Sequence, residues 1–180
     1  MKETKLLDGR LVVTTGDITR MKTGAIVNAA NSSLMGGGGV DGAIHRGGGS
    51  AILAECKQIR ESRYPDGLPT GEAVATTAGN LPAEYVIHTV GPVWRGGNSG
   101  EAEKLASCYR RSLEEAVELS LKDIAFPAIS TGIYGYPKEK AGEVAFEAVR
   151  DFLASSAIPE TVYFVFYSPG DARIFLDTVA

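Results

Sequence analysis

Apolar and polar positions along the chain alternate between two periods. Leu11–Thr15 is a β-branched apolar run and predicts a strand. Residues 16–19 follow as a turn into a short helical piece, and residues 25–28 predict a short buried strand. From residue 41 to about 60 the period changes: Ile44, Ile52, Cys56 and Ile59 fall near one face, which predicts one helix. The polar stretch 61–71, with Pro65, Gly67 and Pro69, reads as a loop. Strands are predicted at Ala73–Thr77 and Tyr85–Val90, and a glycine-containing loop at 93–100.

A longer helix over about 101–121 places Leu105, Cys108, Tyr109, Leu113, Ala116 and Val117 on one stripe. Residues 124–129 predict a strand interrupted by Pro127, followed by a loop at 130–136. Pro137 suits the first position of the next helix, where its missing N–H costs nothing. That helix carries Ala141, Val144, Ala145, Ala148, Val149 and Phe152 on one face. Residues 161–167 predict a buried strand, and Ser168-Pro169 an N-cap and first position opening a last helix. The alternation argues an α/β chain with helices on both faces of a mostly parallel sheet. Without a dividing linker, residues 1–180 read as one domain.

Composition sharpens this in one place. The chain has 22 glycines in 180 residues, where an average composition gives roughly 13. Eight of them fall between Gly36 and Gly49. Such clustering points to a backbone site rather than to a fibrous repeat. The net charge of −4 and the scattered Lys and Arg argue against a nucleic-acid partner. No apolar run approaches the ~20 residues of a membrane span, and the N-terminus has no signal-peptide core. The expectation is a soluble cytoplasmic protein in which Cys56 and Cys108 are buried thiols. His45, His88 and the cysteines lack metal-ligand spacing, so no metal is expected.

Three motif readings compete for the glycine loops. Residues 37–42 match GxGxxG, but they do not follow their strand directly, and the acidic residue a dinucleotide site needs falls in a polar loop. Residues 128–132 approach a nucleophile elbow, with Ser130 served by His45 or His88, but no helix follows the serine at once. The third reading joins both loops. Each exposes consecutive N–H groups and leads to a helix N-terminus, and two such cradles suit a ligand with two linked phosphates. Around them, Asn28 and Asn31 either position hydroxyl groups or close local Asx turns. Asp41 is either a reacting carboxylate or a helix cap. His45, one turn further, orients Asp41 or a ligand. Asp17 either accepts from an exocyclic amine or caps its turn, and Tyr134 and Tyr167 either stack on a ligand or belong to the core.

The runs Gly16-Asp17-Ile18-Thr19, Ile26-Val27-Asn28-Ala29-Ala30-Asn31, and Leu34-Met35-Gly36-Gly37-Gly38-Gly39-Val40-Asp41-Gly42-Ala43-Ile44-His45 together resemble the macrodomain signature. The run 127–137 resembles that family's second phosphate loop, and 88–94 matches as well. The likeness covers nearly the whole chain and falls in the MacroD-type branch, among bacterial O-acetyl-ADP-ribose deacetylases. It implies a three-layer α/β/α sandwich around a mixed sheet, with ADP-ribose in a cleft at the strand ends. By position, Asp17 would take the adenine amine with Ile18 beside it, and Tyr167 would stack near adenine. Gly38, Gly39 and Val40 would approach the proximal phosphate. Ser130, Thr131, Gly132, Ile133 and Tyr134 would wrap the diphosphate and distal ribose. Asn28 and His45 complete the ligand set, and Asn31 and Asp41 would carry the chemistry. The implied reaction is hydrolysis of esters on the distal ribose, of O-acetyl-ADP-ribose or of ADP-ribosylated acidic side chains, with no metal or other cofactor. Attack by water and attack by Ser130 both stay open, as does a non-catalytic ADP-ribose reader or regulatory interaction module. Gly47-Gly48-Gly49 departs from the family, whose members usually carry alanine at the first two positions. By helix propensity the two changes cost about 2 kcal/mol.

Overall fold

Over residues 3–180, which the computed structural model describes, the two periods resolve into seven strands and five α-helices. The strands are β1 (Thr4–Leu6), β2 (Leu11–Thr15), β3 (Ala25–Ala30), β4 (Ala73–Thr77), β5 (Tyr85–Val90), β6 (Asp123–Phe126) and β7 (Thr161–Phe166). The helices are α1 (Gly39–Gly48), α2 (Ser50–Ser62), α3 (Glu101–Glu118), α4 (Lys138–Ala154) and α5 (Pro169–Val179). All strands join one sheet in the order β1-β2-β7-β6-β3-β5-β4. The central pairs are parallel and the two edge pairs, β1 with β2 and β4 with β5, are antiparallel. The sheet is therefore mixed and mostly parallel, as expected.

Alternate residues of each central strand enter different layers, as the two-residue pleat requires. Val27, Ile87, Phe126 and Phe164 point into a core shared with Leu105, Leu113, Val149 and Phe175 of α3, α4 and α5. Ile26, Val86, Ala125 and Val165 point the other way, against Ile44, Ile52 and Cys56 of α1 and α2. Burial on both faces explains why these strands read as continuous apolar runs. Asn28 and His88 lie on the second face, opposite one another in the β3–β5 register, beneath α1.

Several boundaries differ from the sequence reading. The helix expected over 41–60 is two helices, and α1 begins at Gly39, before Asp41. The break is Gly49, at φ +81° and ψ −170°, in a left-handed region that favours glycine. Close packing explains its neighbours. A Cβ on Gly48 would collide with Ile52 and lie 3.2 Å from the Ala78 carbonyl, while one on Gly47 would lie 2.8 Å from Leu81 Cδ2. Asn80 N donates to Gly48 O at 3.0 Å. Gly47 and Gly48 thus let the end of α1 settle on the turn after β4. Strand β1 escaped the pattern because three residues carry no usable period. Strand β3 runs two residues further than expected, and β6 stops before Pro127, which cannot donate to a ladder. Pro137 is the N-cap of α4 rather than its first residue, because its ψ of 130° is extended. At α5, Ser168 caps as expected, accepting from Asp171 N at 3.2 Å.

Candidate functional site

In a parallel sheet the loops that leave the carboxyl ends of the strands converge above it, where ligands enter. Here the loops after β2, β3, β5, β6 and β7 border one cleft. Its two sections, of about 250 Å³ and about 540 Å³, share Gly39, Val40 and Ala128 and are continuous. The smaller is lined by Asn31, Gly37, Gly38, Asp41, Ser130, Gly132, Ile133 and Tyr134 among others. The larger is lined by Asp17, Ile18, Arg46, Tyr167 and their neighbours. Of the residues expected at the site, twelve line this cleft. Asn28, His45 and the side chain of Thr131 do not; Thr131 borders a small space behind its loop, with Phe126, Ala141 and Phe175.

The first loop, 31–38, is folded by Asn31. Its Oδ1 accepts from Ser33 N at 3.1 Å and from the Ser33 hydroxyl, and its Nδ2 donates to Gly36 O at 3.1 Å. The Asx turn is real, and it leaves one Nδ2 hydrogen for another acceptor. From below, Leu68 N donates to Ser32 O at 2.9 Å and Arg60 Nη1 to Ser33 O at 2.8 Å. The loop then runs into α1, whose first-turn N–H groups have no intrahelical acceptor and carry the positive end of the helix dipole. The chain thereby presents Gly37, Gly38 and Gly39 as one anion cradle.

The second loop stands opposite. Ser130 takes φ +67°, Tyr136 N bonds back to Ser130 O at 3.0 Å, and Gly135 N to Gly132 O at 3.0 Å. Among the described residues the N–H groups of Gly132, Ile133 and Tyr134 find no backbone acceptor, so they form a second cradle. Trp94 N holds Tyr134 O at 2.8 Å, and the Trp94 ring packs on Tyr136 with centroids 4.6 Å apart. The glycine loop around Trp94 is gathered by Glu101, which accepts from Arg95 N, Gly97 N and Ser99 N at 2.6–2.9 Å. Those N–H groups, Arg95's foremost, pull its carboxyl down to about 2. Ser130 Oγ is buried with no hydrogen-bond partner among the described residues. Neither histidine is bonded to it, so no Ser–His pair forms and the nucleophile-elbow reading loses its base.

At the inner end of the smaller section, Asp41 sits in the first turn of α1 with 5% of its surface exposed. Asn28 Nδ2 donates to its Oδ1 at 2.8 Å. The same nitrogen lies 3.0 Å from His88 Nδ1, and His88 Nε2 lies 2.9 Å from Thr76 Oγ1. His45 Nε2 is 3.5 Å from Asp41 Oδ1. Asn28 and His45, expected to touch the ligand, instead stand behind Asp41, Asn28 fully buried. The sequence reading did not single out Thr76 or Arg60, and it gave His88 a part only as a base for Ser130. Their partners lie 12 to 60 positions away in the chain, so no local pattern marks them.

The other section has a different character. Asp17 caps its turn, with Oδ1 taking Thr19 N at 3.0 Å and Thr19 Oγ1 at 2.6 Å, which leaves Oδ2 for an outside donor. Ile18 is buried beside it, and Tyr167 is 90% exposed. Lys138 Nζ and Asp171 Oδ1, paired at 2.7 Å, stand nearby. A ring offered to solvent at a cleft mouth has no packing role and is free to stack.

Two of these groups make the fold sensitive to acid. Burial pushes the His88 imidazole down to about 3, with His45 adding to the effect. The unfolded chain therefore binds a proton that the folded chain refuses between pH ~6.5 and ~3. Stability is complete above that window and falls as pH drops through it. Glu101, lowered to about 2, adds stability that is present above pH ~4.5 and lost on approach to 2. The urea midpoint is expected to hold above pH ~7 and to decline steadily from about 6 down to 4. A flat profile over that range would contradict a buried neutral His88.

With this geometry in hand, comparison with known proteins is direct. The Macro domain family model matches residues 27–145. The O-acetyl-ADP-ribose deacetylase of Salmonella typhimurium is 56% identical over 169 residues, spanning 94% of this chain and 93% of that protein. Among solved structures, the Oceanobacillus iheyensis macrodomain with ADP superposes with a TM-score of 0.92 at 41% identity, covering 99% of this chain and 94% of its own. The Trypanosoma brucei macrodomain in complex with ADP-ribose gives a TM-score of 0.85 at 37% identity, covering 96% and 70%.

Proposed function

Because this chain belongs to the Macro domain family, we propose that its cleft binds ADP-ribose and that the protein hydrolyses O-acetyl-ADP-ribose to ADP-ribose and acetate. The observation that carries this reading is the pair of facing N–H cradles with a buried carboxylate at one end and an exposed aromatic at the other. A diphosphate fits between the cradles of 37–39 and 132–134, where fixed dipoles replace its water. Adenine then falls to the larger section, with Asp17 Oδ2 accepting from its amine and Tyr167 on its face. The distal ribose falls to Asn31 and Asp41.

In this arrangement the remote groups position the ester. Asp41 takes a proton from water as the water oxygen bonds to the acetyl carbon. The bond from that carbon to the ribose oxygen then breaks, the ribose oxygen gains the proton, and acetate leaves. Asn31 holds a ribose hydroxyl through its remaining Nδ2 hydrogen. Water rather than Ser130 is the nucleophile, since Ser130 Oγ has no base beside it.

The same chemistry serves an ester between ADP-ribose and a protein carboxylate. Met35 and Val93, both partly exposed, stand on the loops at the distal-ribose end, outside which a protein side chain would extend. The buried free thiols Cys56 and Cys108 fit a cytoplasmic location. One assay tests the whole reading: the protein is incubated with O-acetyl-ADP-ribose and, separately, with a carboxylate-ADP-ribosylated protein, and acetate and ADP-ribose are followed. Release from both supports it; binding of ADP-ribose without release from either makes the protein a reader. Tyr167→Ala is expected to weaken ADP-ribose by about 1–3 kcal/mol while leaving thermal stability unchanged. Calorimetry and a melting curve check both halves of that statement.

A further inference from the structure

We propose that His88 is a positioning residue for this hydrolysis: its Nδ1 lone pair fixes the Asn28 amide, and the amide fixes Asp41 toward the cleft. The part that names a reaction rests on the function proposed above; the part that names an orientation does not.

The hydrogens available to these side chains allow one arrangement. A carboxylate only accepts, so the Asn28 atom 2.8 Å from Asp41 Oδ1 is the amide nitrogen. That nitrogen carries two hydrogens. The second is directed at His88 Nδ1, 3.0 Å away, so Nδ1 holds a lone pair and the ring proton is on Nε2. Nε2–H then faces Thr76 Oγ1 at 2.9 Å. Thr76 gives its own hydrogen to Thr77 O at 2.9 Å, which leaves its oxygen free to accept. Each N–H in the line meets an acceptor, from His88 through Asn28 to Asp41, and Cys56 Sγ stands further from His88 Nε2, at 3.9 Å, than the Thr76 oxygen does.

The alternatives fail on the same count. A proton on Nδ1 would set an N–H against the Asn28 N–H. Relief by flipping the amide would bring Asn28 Oδ1 against Asp41 Oδ1, two acceptors face to face. In a site where Asn28, His88 and Thr76 are all buried, no water offsets either conflict. The fully buried ring keeps to its neutral form, in line with the burial effect already described. The backbone holds the line in place. Asn28 and His88 are paired across β3 and β5, His88 and Val74 across β5 and β4, and Thr76 lies two residues along on the same face. Asp41 hangs from α1 directly above. His45 Nε2 approaches the same Asp41 oxygen from α1 itself, but at 3.5 Å it is too far to replace the Asn28 N–H at 2.8 Å.

Two variants and one spectrum test this. His88→Phe keeps the ring but removes the acceptor; His88→Asn keeps an acceptor near the place of Nδ1. With O-acetyl-ADP-ribose, His88→Phe is expected to lower kcat at least about tenfold, with KM and ADP-ribose Kd within roughly threefold of wild type. His88→Asn is expected to recover most of the loss. Nitrogen-15 spectra of the unmodified protein, free of ligand, are expected to show His88 protonated at Nε2 and bare at Nδ1 across neutral pH. Unchanged kcat in His88→Phe overturns the proposal, as does equal loss in both variants. A proton on Nδ1 overturns it without reference to catalysis. Should the unmodified protein bind ADP-ribose but hydrolyse nothing, the reading of function fails, and the tautomer still decides the orientation. Should His88→Phe not fold, the tautomer and the recovery in His88→Asn decide it.

Discussion

Asp41→Ala is expected to keep ADP-ribose and lose turnover. The cradles at 37–39 and 132–134 are backbone, and the adenine section lies at the far end of the cleft, so binding loses little. Calorimetry is expected to give a dissociation constant within roughly tenfold of the unmodified protein, or about 1.4 kcal/mol. The hydrolytic rate is expected to fall by about 10²–10⁴, the range of a general base. Asp41 is suited to that task by its setting. Asn28 occupies Oδ1, while Oδ2 lies on the Gly37 side, 3.2 Å from where a Cβ on that glycine would stand. The variant also strands the Asn28 amide in a buried place, which costs about 1–3 kcal/mol of stability. Melting curves with and without ADP-ribose separate that loss from the loss of chemistry. Full activity in Asp41→Ala would sink the assignment. An acetyl mass increment on Ser130 during slow turnover would move the reaction to the serine.

Gly132→Val is expected to do the reverse and abolish binding in a folded protein. A Cβ at Gly132 meets nothing within 4 Å, so the substitution does not disturb the loop's packing. The added methyls instead project into the open cleft that Gly132 lines, over the N–H groups of the second cradle. Forcing a diphosphate past them costs about 2 kcal/mol or more, which weakens ADP-ribose by about thirtyfold or more. Since position matters more than residue type, Gly42→Val makes an informative contrast. There even a Cβ collides with Gly37 O, so the expected loss is of the fold around the first loop. An unchanged affinity in Gly132→Val would refute the cradle on that side.

Legibility followed distance along the chain. The two glycine loops were readable because each cradle is contiguous: 37–39 and 132–134 carry their N–H groups in a row. The caps at Asp17 and Ser168 were readable for the same reason, since each bonds two or three residues ahead. The break at Gly49 was hidden because Ile44, Ile52 and Cys56 stay on one face across it, so the period alone predicts a single helix. Asn28 faces Asp41 rather than a ligand, and of the two roles open to His45 the structure favours the one beside Asp41. Sequence shows that they are near Asp41, not that the sheet and α1 close over them. Thr76, and the part His88 plays behind Asp41, were out of reach, because strand register rather than spacing brings residues 28, 76 and 88 together.

The shortness of α1 has a consequence of its own. Ten residues, four of them glycine, do not hold a helix in water, so α1 is held by what it rests on, Ile44 against the sheet in its middle and a contact at each end. Its C-terminal end is pinned at Gly48 and Gly49, while its N-terminal end is the cradle itself. An anion at that end supplies the acceptors the first turn lacks, so occupancy and local order are thermodynamically linked. Any free energy needed to close α1 after a local opening is thereby subtracted from ligand affinity. Sequence change at the back of this helix can thus tune the grip of the cleft without touching a residue that lines it.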